Sequence, residues 1–364
     1  MKGISPINIL VRVPNWIGDA VMCLPALMDL RERFAQADIT VLARPTIAEL
    51  LAAHGGIKDV MVYEHQTLHH GPFGLMRLSR VIRKRAFDAA VLFQNAFEAA
   101  LLAWLSRIPT RIGYATDGRG WLLSHAVPPS QKRNLHQIRY YQQLVQAISD
   151  VPIQERNPKL EATTNNSCAF QQQFGEIFSS SHTLFVGINP GSLYGSAKRW
   201  PPERFAEVGD RLVEQIRKEY QKISSVRCVL IGGKGEEALG MKIASQMRSQ
   251  PIVLSGKTTI QELMNVLPHC AVLVTNDTGP MHVAQALGVP VVGIFGSTDP
   301  ESTGPVGEES CFIREPVRCS PCLLRSCPID HRCMANISTD QVVRAVMARM
   351  DRFLGCHHAR KSVG

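Results

Sequence analysis

The sequence predicts an α/β protein made of two doubly wound domains, and three observations carry that prediction. Short apolar runs rich in β-branched residues alternate with helical patterns from residue 7 to about 115, and again from 183 to 296. A polar, Ser/Asn-rich stretch over about 152–182 separates the two series. At 364 residues the chain also exceeds one ordinary core, given roughly 150 residues per domain.

The first series reads INILVRV, a helix over 22–34, DITVLAR, a helix around Ala48, DVMVY, FDAAVLFQ, a helix from Ala96, and TRIGYA. Strands separated by helices at this spacing imply a parallel sheet of βαβ units. The separating stretch, with EATTNNSC and FGEIFSSSH, reads as a linker holding a short helix. The second series runs TLFVGINPG, a helix over 202–220, VRCVLIGG, a helix to Met247, PIVLSG, a helix to Leu267, AVLVTND, a helix from Met281, and VPVVGIFG. The predicted domains are therefore 1–160 and 161–338. Residues 339–364 form a C-terminal helix and tail able to pack on either, and no short internal repeat suggests a solenoid.

Composition narrows the class. Hydrophobic residues make up 45% and charged residues 20%, which excludes disorder. The N-terminus lacks a basic segment followed by a long apolar stretch, and the closest approach to a membrane span, AFEAALLAWLS, is too short and contains Glu98. A cytoplasmic protein is expected, with its ten cysteines kept as thiols. Net charge is +9, of which residues 1–150 supply 17 Lys+Arg less 11 Asp+Glu, or +6. A basic surface points to an anionic partner. The basic run RVIRKRAF lacks the interleaved aromatics of a single-strand binder, so nucleic acid is disfavoured.

Four glycine or polar turns follow predicted strands of the second domain: NPGSLYGSAKRW, IGGKGEE, LSGKTT and TNDTGPMH. Each alone is commonplace in α/β proteins, but four strand ends in one parallel sheet converge on one edge, where such folds bind ligands. In TNDTGPMH, Asp277 or Thr278 can cap the next helix, Gly279 lets amides approach a ligand oxygen, and Pro280 suits an early helical position. The free amides make an anion site, with His282 one turn in. In NPGSLYGSAKRW, Gly191 and Gly195 bracket a loop bearing Ser192 and Ser196, followed by Lys198 and Arg199, a set suited to a diphosphate. Glu236 and Glu237 head a helix, where they can accept from ribose hydroxyls or cap it.

The first domain poses the opposite case. Its first turn, RVPNWIGDAVMCLPAL, has only Gly18 where a dinucleotide fingerprint needs G-x-G-x-x-G, and places Asp19 where a phosphate would meet negative charge. A dehydrogenase is disfavoured. Asp19 either serves something other than phosphate or caps the helix.

Taken together, WIGDAVM, NPGSLYGSAKRWP and TNDTGPMHVAQALGVPVVGIFG, with CSPC and CP after them, resemble the ADP-heptose:lipopolysaccharide heptosyltransferase family, nearest to its heptosyltransferase II branch. The resemblance runs from about Ile9 to Ile337 in the right order and spacing. It implies a GT-B architecture, two Rossmann-like domains facing across a cleft, with the nucleotide-sugar donor on the C-terminal domain and the lipid acceptor on the N-terminal one. It further implies an inverting transfer of heptose from ADP-heptose to the heptosyl-Kdo inner core of lipopolysaccharide, without a metal or other cofactor, at the cytoplasmic face of the inner membrane with peripheral membrane contact. Asp19 falls at the family's Gly-Asp position, taken as general base. Lys198 and Ser192, with the amides around Thr278 and Gly279, would offset charge on the leaving diphosphate. Asp277 would contact the heptose or orient the helix start. Arg44, Arg111 and Arg119 are candidates for the acidic acceptor.

Cys319, Cys322, Cys327 and Cys333 read C-x2-C-x4-C-x5-C with His331 nearby, a soft-ligand set that admits a small zinc knot without matching the two-plus-two knuckle. Loop or buried thiols are expected there, and no metal. Two other readings compete with heptosyl transfer: a different GT-B nucleotide-sugar transferase or epimerase, and a non-catalytic nucleotide- or metal-binding scaffold. The presence of Asp19, Lys198 and the TNDTGPMH turn favours transfer.

Overall fold

The computed structural model describes residues 6–52, 54–129, 135–149, 153–162, 168–179 and 182–361. The chain divides into two compact units, Met1–Glu161 and Ala162–Gly364, each built on one six-stranded parallel sheet.

The first unit contains β1 (Asn8–Arg12), β2 (Asp38–Ala43), β3 (Asp59–Val62), β4 (Ala89–Leu92), β5 (Thr110–Tyr114) and β6 (His125–Val127), in the order β3-β2-β1-β4-β5-β6. Its helices are α1 (Ile17–Met22), α2 (Leu24–Arg33), α3 (Pro45–Leu51), α4 (Gly71–Lys84), α5 (Phe97–Leu105) and α6 (Gln137–Ser149). Register follows side-chain shape: Val11 of β1 lies between Val41 and Val91, so branched side chains form a row through the buried sheet. The helix expected over 22–34 is α2, and a separate short helix, α1, ends where it was expected to begin. Pro25 has no N–H for the Val21 carbonyl, and the backbone turns at Cys23 with φ −85° and ψ −6°. Two helices, α4 and α6, and the edge strand β6 fall outside the predicted elements. In α4 the buried Gly74, Leu78 and Ile82 keep helical spacing, a signal masked by the run of cations on the other face.

The second unit contains β7 (Thr183–Asn189), β8 (Ser225–Leu230), β9 (Ile252–Val253), β10 (Cys270–Asn276), β11 (Val291–Phe295) and β12 (Cys311–Arg314), in the order β12-β11-β10-β7-β8-β9. Its helices are α7 (Cys168–Phe178), α8 (Pro202–Glu219), α9 (Glu237–Gln246), α10 (Ile260–Val266), α11 (Gly279–Ala286), the short α12 (Pro300–Thr303) and α13 (Arg332–Ala335), and α14 (Thr339–Lys361). The short helix expected in the linker is α7. The C-terminal helix packs on this unit: Val342, Val346 and Met350 recur every four residues and join the core cluster of Val186, Ile188 and Trp200. Burying each such side chain contributes about 1.5–3 kcal/mol, so α14 is part of the unit's core and not an appendage.

Counted from its own first strand, each sheet has the same order, with the chain reversing direction between β1 and β4 in one and between β7 and β10 in the other. Loops leaving the carboxyl ends of those paired strands splay apart, and ligands bind in the crevice they leave.

Candidate active site

In the second unit the switch point is held open by two buried asparagines. Asn189, the last residue of β7, donates from Nδ2 to Thr275 Oγ1 (3.0 Å) and Thr278 Oγ1 (2.8 Å). Asn276, the last residue of β10, donates to the Pro190 carbonyl at 2.7 Å and accepts from the Trp200 amide at 3.1 Å. The two amides cross-tie the loops after the central strands, which fixes the crevice floor. Neither residue stands out in the sequence as more than a strand end. The usable signal is an asparagine closing both central strands, immediately before Pro-Gly in one loop and Asp-Thr-Gly in the other.

Above that floor lies an ion pair between a partly buried lysine and a buried carboxylate. Lys198 Nζ is 2.5 Å from Asp277 Oδ2, and Thr298 Oγ1 donates to the same oxygen at 2.7 Å. The Lys198 ammonium also lies 4.8 Å from the centroid of the Tyr194 ring, and the Arg325 guanidinium carbon lies 5.4 Å from that centroid. Two cations share one aromatic ring, a cation–π arrangement that gathers positive charge at the loop. Arg325 reaches it because the cysteine-bearing segment is stitched to the Lys198 loop. The Tyr194 hydroxyl donates to the Leu323 carbonyl at 2.7 Å, Ala197 N to the Arg325 carbonyl at 3.0 Å, and His331 Nε2 lies 2.9 Å from the Ala197 carbonyl. Cys319, Cys322, Cys327 and Cys333 are free thiols. Among the described residues no group of three or more His, Cys, Asp or Glu side chains is placed to hold a metal ion.

Thr278 occupies the N-cap of α11 in extended backbone, φ −149° and ψ 170°, but makes no side-chain cap bond, because its hydroxyl accepts from Asn189. Neither it nor Asp277 caps the helix as the sequence suggested. The first amides of α11 therefore have no side-chain acceptor from the N-cap, and the positive end of the helix dipole faces the crevice. Gly279 opens this helix with Pro280 behind it, and His282 is buried one turn in.

Three buried polar atoms around the crevice have no hydrogen-bond partner: Ser192 Oγ, Ser297 Oγ and Glu236 Oε1. Buried polar atoms are nearly always paired, so three orphans at the ends of β7, β8 and β11 mark a place where a polar ligand completes the bonding. The other Glu236 oxygen accepts from the Gly233 amide at 2.9 Å. Glu236 lies against Gly191 so closely that a Cβ there would fall 2.1 Å from its carboxylate. A Gly191→Ala variant must displace Glu236, and it is expected to weaken nucleotide binding more than it lowers the melting temperature, checked by calorimetric titration beside a thermal melt. Glu237 is exposed in the first turn of α9, its carboxyl lying over Gly256.

In the first unit Asp19 sits in the first turn of α1, three residues after Trp16, which occupies the N-cap position. The Tyr141 hydroxyl, reaching from α6, donates to Asp19 Oδ1 at 3.1 Å. Burial and the Asp19 charge push the Tyr141 phenol well up, so it stays protonated as a donor. Arg44 follows β2 at the N-cap of α3, and its buried Nε has no partner. Beside it, Arg12 is buried, with its guanidinium on the Val13 carbonyl (2.7 Å) and Asn15 Oδ1 (2.6 Å); burial pushes its pKa down to about 10.

The other two arginines differ from expectation. Arg111 lies near the start of β5 and donates to the carbonyls of Ile108 (2.5 Å), Pro109 (3.1 Å) and Leu122 (2.7 Å), so it serves the amino edge of the sheet. Arg119 is fully buried and donates to the Tyr114 carbonyl (2.9 Å), to Asn95 Oδ1 (3.1 Å) and to the Gln94 carbonyl. It ties the loops after β4 and β5 together, and burial pushes its pKa down to about 10. Both guanidiniums bond chiefly to backbone carbonyls, with the Asn95 side chain as a further partner of Arg119, so each braces loops of its own unit.

The sequence pattern of glycosyltransferase family 9 (heptosyltransferase) matches residues 75–332, which span every donor-side turn described above. The chain belongs to this family. It is an enzyme, a glycosyltransferase. Lipopolysaccharide heptosyltransferase 2 of Salmonella typhimurium is 28% identical over 320 residues, covering 84% of this chain and 88% of that one. The structure of E. coli ADP-heptose lps heptosyltransferase II superposes with a TM-score of 0.78 at 26% identity over 95% of this chain and 99% of its own. A family 9 glycosyltransferase from Veillonella parvula, 22% identical, shares the fold with a TM-score of 0.82 over 95% of this chain and 97% of its own. The fold class is α/β of the GT-B kind. In this family 9 glycosyltransferase Asp19 precedes the matched segment, and no helix among the described residues is long and apolar enough to cross a membrane.

Proposed function

We propose that this glycosyltransferase moves heptose from ADP-heptose to the heptosyl-Kdo inner core of lipopolysaccharide, as heptosyltransferase II does, with inversion at the anomeric carbon. The observation that carries the donor assignment is the carboxyl edge of the second sheet, where a lysine, a helix N-terminus without a side-chain cap and buried oxygens without partners follow the ends of β7, β8, β10 and β11. A sugar diphosphate meets each need: its phosphate oxygens accept from Lys198, from the Ser192 hydroxyl and from the amides beyond Thr278 and Gly279, and ribose hydroxyls donate to the free oxygen of Glu236.

In the reaction, Asp19 takes the proton of the acceptor hydroxyl as that oxygen bonds to the anomeric carbon. The bond from that carbon to the phosphate oxygen breaks with its electron pair, and ADP departs from the opposite face. Negative charge grows on the diphosphate, and Lys198 with the α11 amides stabilises it, so no metal is needed for the transfer. Asp277 holds Lys198 in place, and Arg44, with its unpartnered Nε, meets the anionic acceptor. The acceptor's lipid anchor brings the enzyme to the cytoplasmic face of the inner membrane.

Calorimetric titration with ADP, UDP and NAD tests the donor side. ADP alone is expected to bind. Binding of UDP or NAD in its place, or of none of the three, would remove the heptosyl reading.

A further inference from the structure

Helix α4 buries one face and leaves the other without a partner. Gly74, Leu78, Ser79 and Ile82 are buried, whereas Phe73 is 85% exposed, Met76 43% and Val81 45%. These three share one shallow surface with Arg77, Arg80 and Lys84, at helical steps of three and four. Between Gly71 and Phe87 there is no acidic residue. Two neighbouring cations are committed, Arg83 to the Leu105 carbonyl at 3.2 Å and Arg85 to Asp59. Arg77, Arg80 and Lys84 make no hydrogen bond or ion pair among the described residues.

A merely solvated face carries large apolar side chains singly, and an interface with a protein core is apolar at its centre. This face interleaves exposed Phe, Met and Val with three unneutralised cations, the pattern of a helix that lies in a lipid interface. There the apolar side chains enter the acyl boundary while Lys and Arg reach back to headgroup phosphates. Two copies of the face placed together would oppose six cations, so self-association is disfavoured by charge.

We propose that α4 is an interfacial helix that docks the first unit on an anionic phospholipid bilayer. This gives a location to the membrane contact in the functional reading above, and rests on that reading for which membrane it is.

Co-sedimentation of the full chain with vesicles of phosphatidylglycerol and phosphatidylethanolamine, against phosphatidylcholine alone, tests it. The protein is expected to bind the anionic vesicles and to release with rising salt. The triple variant Arg77→Glu, Arg80→Glu, Lys84→Glu is expected to bind them more than about tenfold more weakly, each basic residue near an anionic surface contributing appreciably. Phe73→Ser is expected to weaken binding while keeping its salt dependence. Failure of the unaltered protein to bind, equal binding by the triple variant, or a lipid-free dimer that Phe73→Ser dissolves would each overturn the proposal. ADP titration of the same preparations reports on the donor site separately, so loss of one reading is distinguishable from loss of the other.

Discussion

Asp19→Asn is expected to lower kcat by about 10²–10⁴-fold, the usual cost of losing a general base, and to leave ADP affinity unchanged. The separation is expected because Asp19 belongs to the first unit and every proposed donor contact to the second. Asparagine keeps an oxygen to accept from the Tyr141 hydroxyl, so the turn between β1 and α1 retains its bond and the variant should melt like the parent protein. Single-turnover kinetics with ADP-heptose and an inner-core acceptor supply the rate, and titration with ADP supplies the affinity. A folded Asp19→Asn enzyme turning over at near the parent rate would strip Asp19 of this role. The carboxylate would then be no more than a favourable charge in the first turn of a short helix.

All the strands but the edge strands β6 and β12 were legible, because a parallel sheet covered on both sides demands continuous apolar runs, and INILVRV, DITVLAR and AVLVTND supply them. Helix α4 was not, since its basic face dominates the local composition and hides the spacing of Gly74, Leu78 and Ile82. Of the candidate site, the turns with Lys198, Asp277 and Gly279 stood out in the sequence because four glycine or polar turns follow strands of one parallel sheet. What holds them did not. Asn189 and Asn276 act across 86–89 residues of sequence, Thr298 reaches Asp277 from a third strand end, and Tyr141 reaches Asp19 from α6. Such pairings exist only once the sheet order is known. Arg111 and Arg119 show the same limit from the other side, since their bonds to neighbouring loops could not be foreseen. A lone arginine near a strand end looks available for a ligand until the oxygens that accept from its guanidinium are located.

Lys198→Ala is expected to produce two losses, and their separation decides what the lysine is for. Removing it leaves the Asp277 carboxylate, only 5% exposed, with the Thr298 hydroxyl as its remaining side-chain donor. Breaking a buried pair from one side costs about 3–5 kcal/mol, because the surviving charge is left uncompensated. At roughly 2–4 °C per kcal/mol for a unit of this size, the melting temperature should fall by on the order of 10 °C. ADP binding should weaken as well: a hydrogen bond to a charged group contributes about 1.5–3 kcal/mol, or roughly 10–150-fold in Kd. The double variant Lys198→Met, Asp277→Asn separates the two effects. Removing both charges while keeping the volumes relieves the uncompensated carboxylate, so the melting temperature should return close to that of the parent protein. ADP affinity should stay as low as in Lys198→Ala, since no ammonium meets the diphosphate. Should the double variant instead bind ADP as tightly as the parent protein, the Lys198–Asp277 pair would be a structural brace of the crevice, and the charge that stabilises the leaving diphosphate would have to come from the amides of α11 and from Arg325.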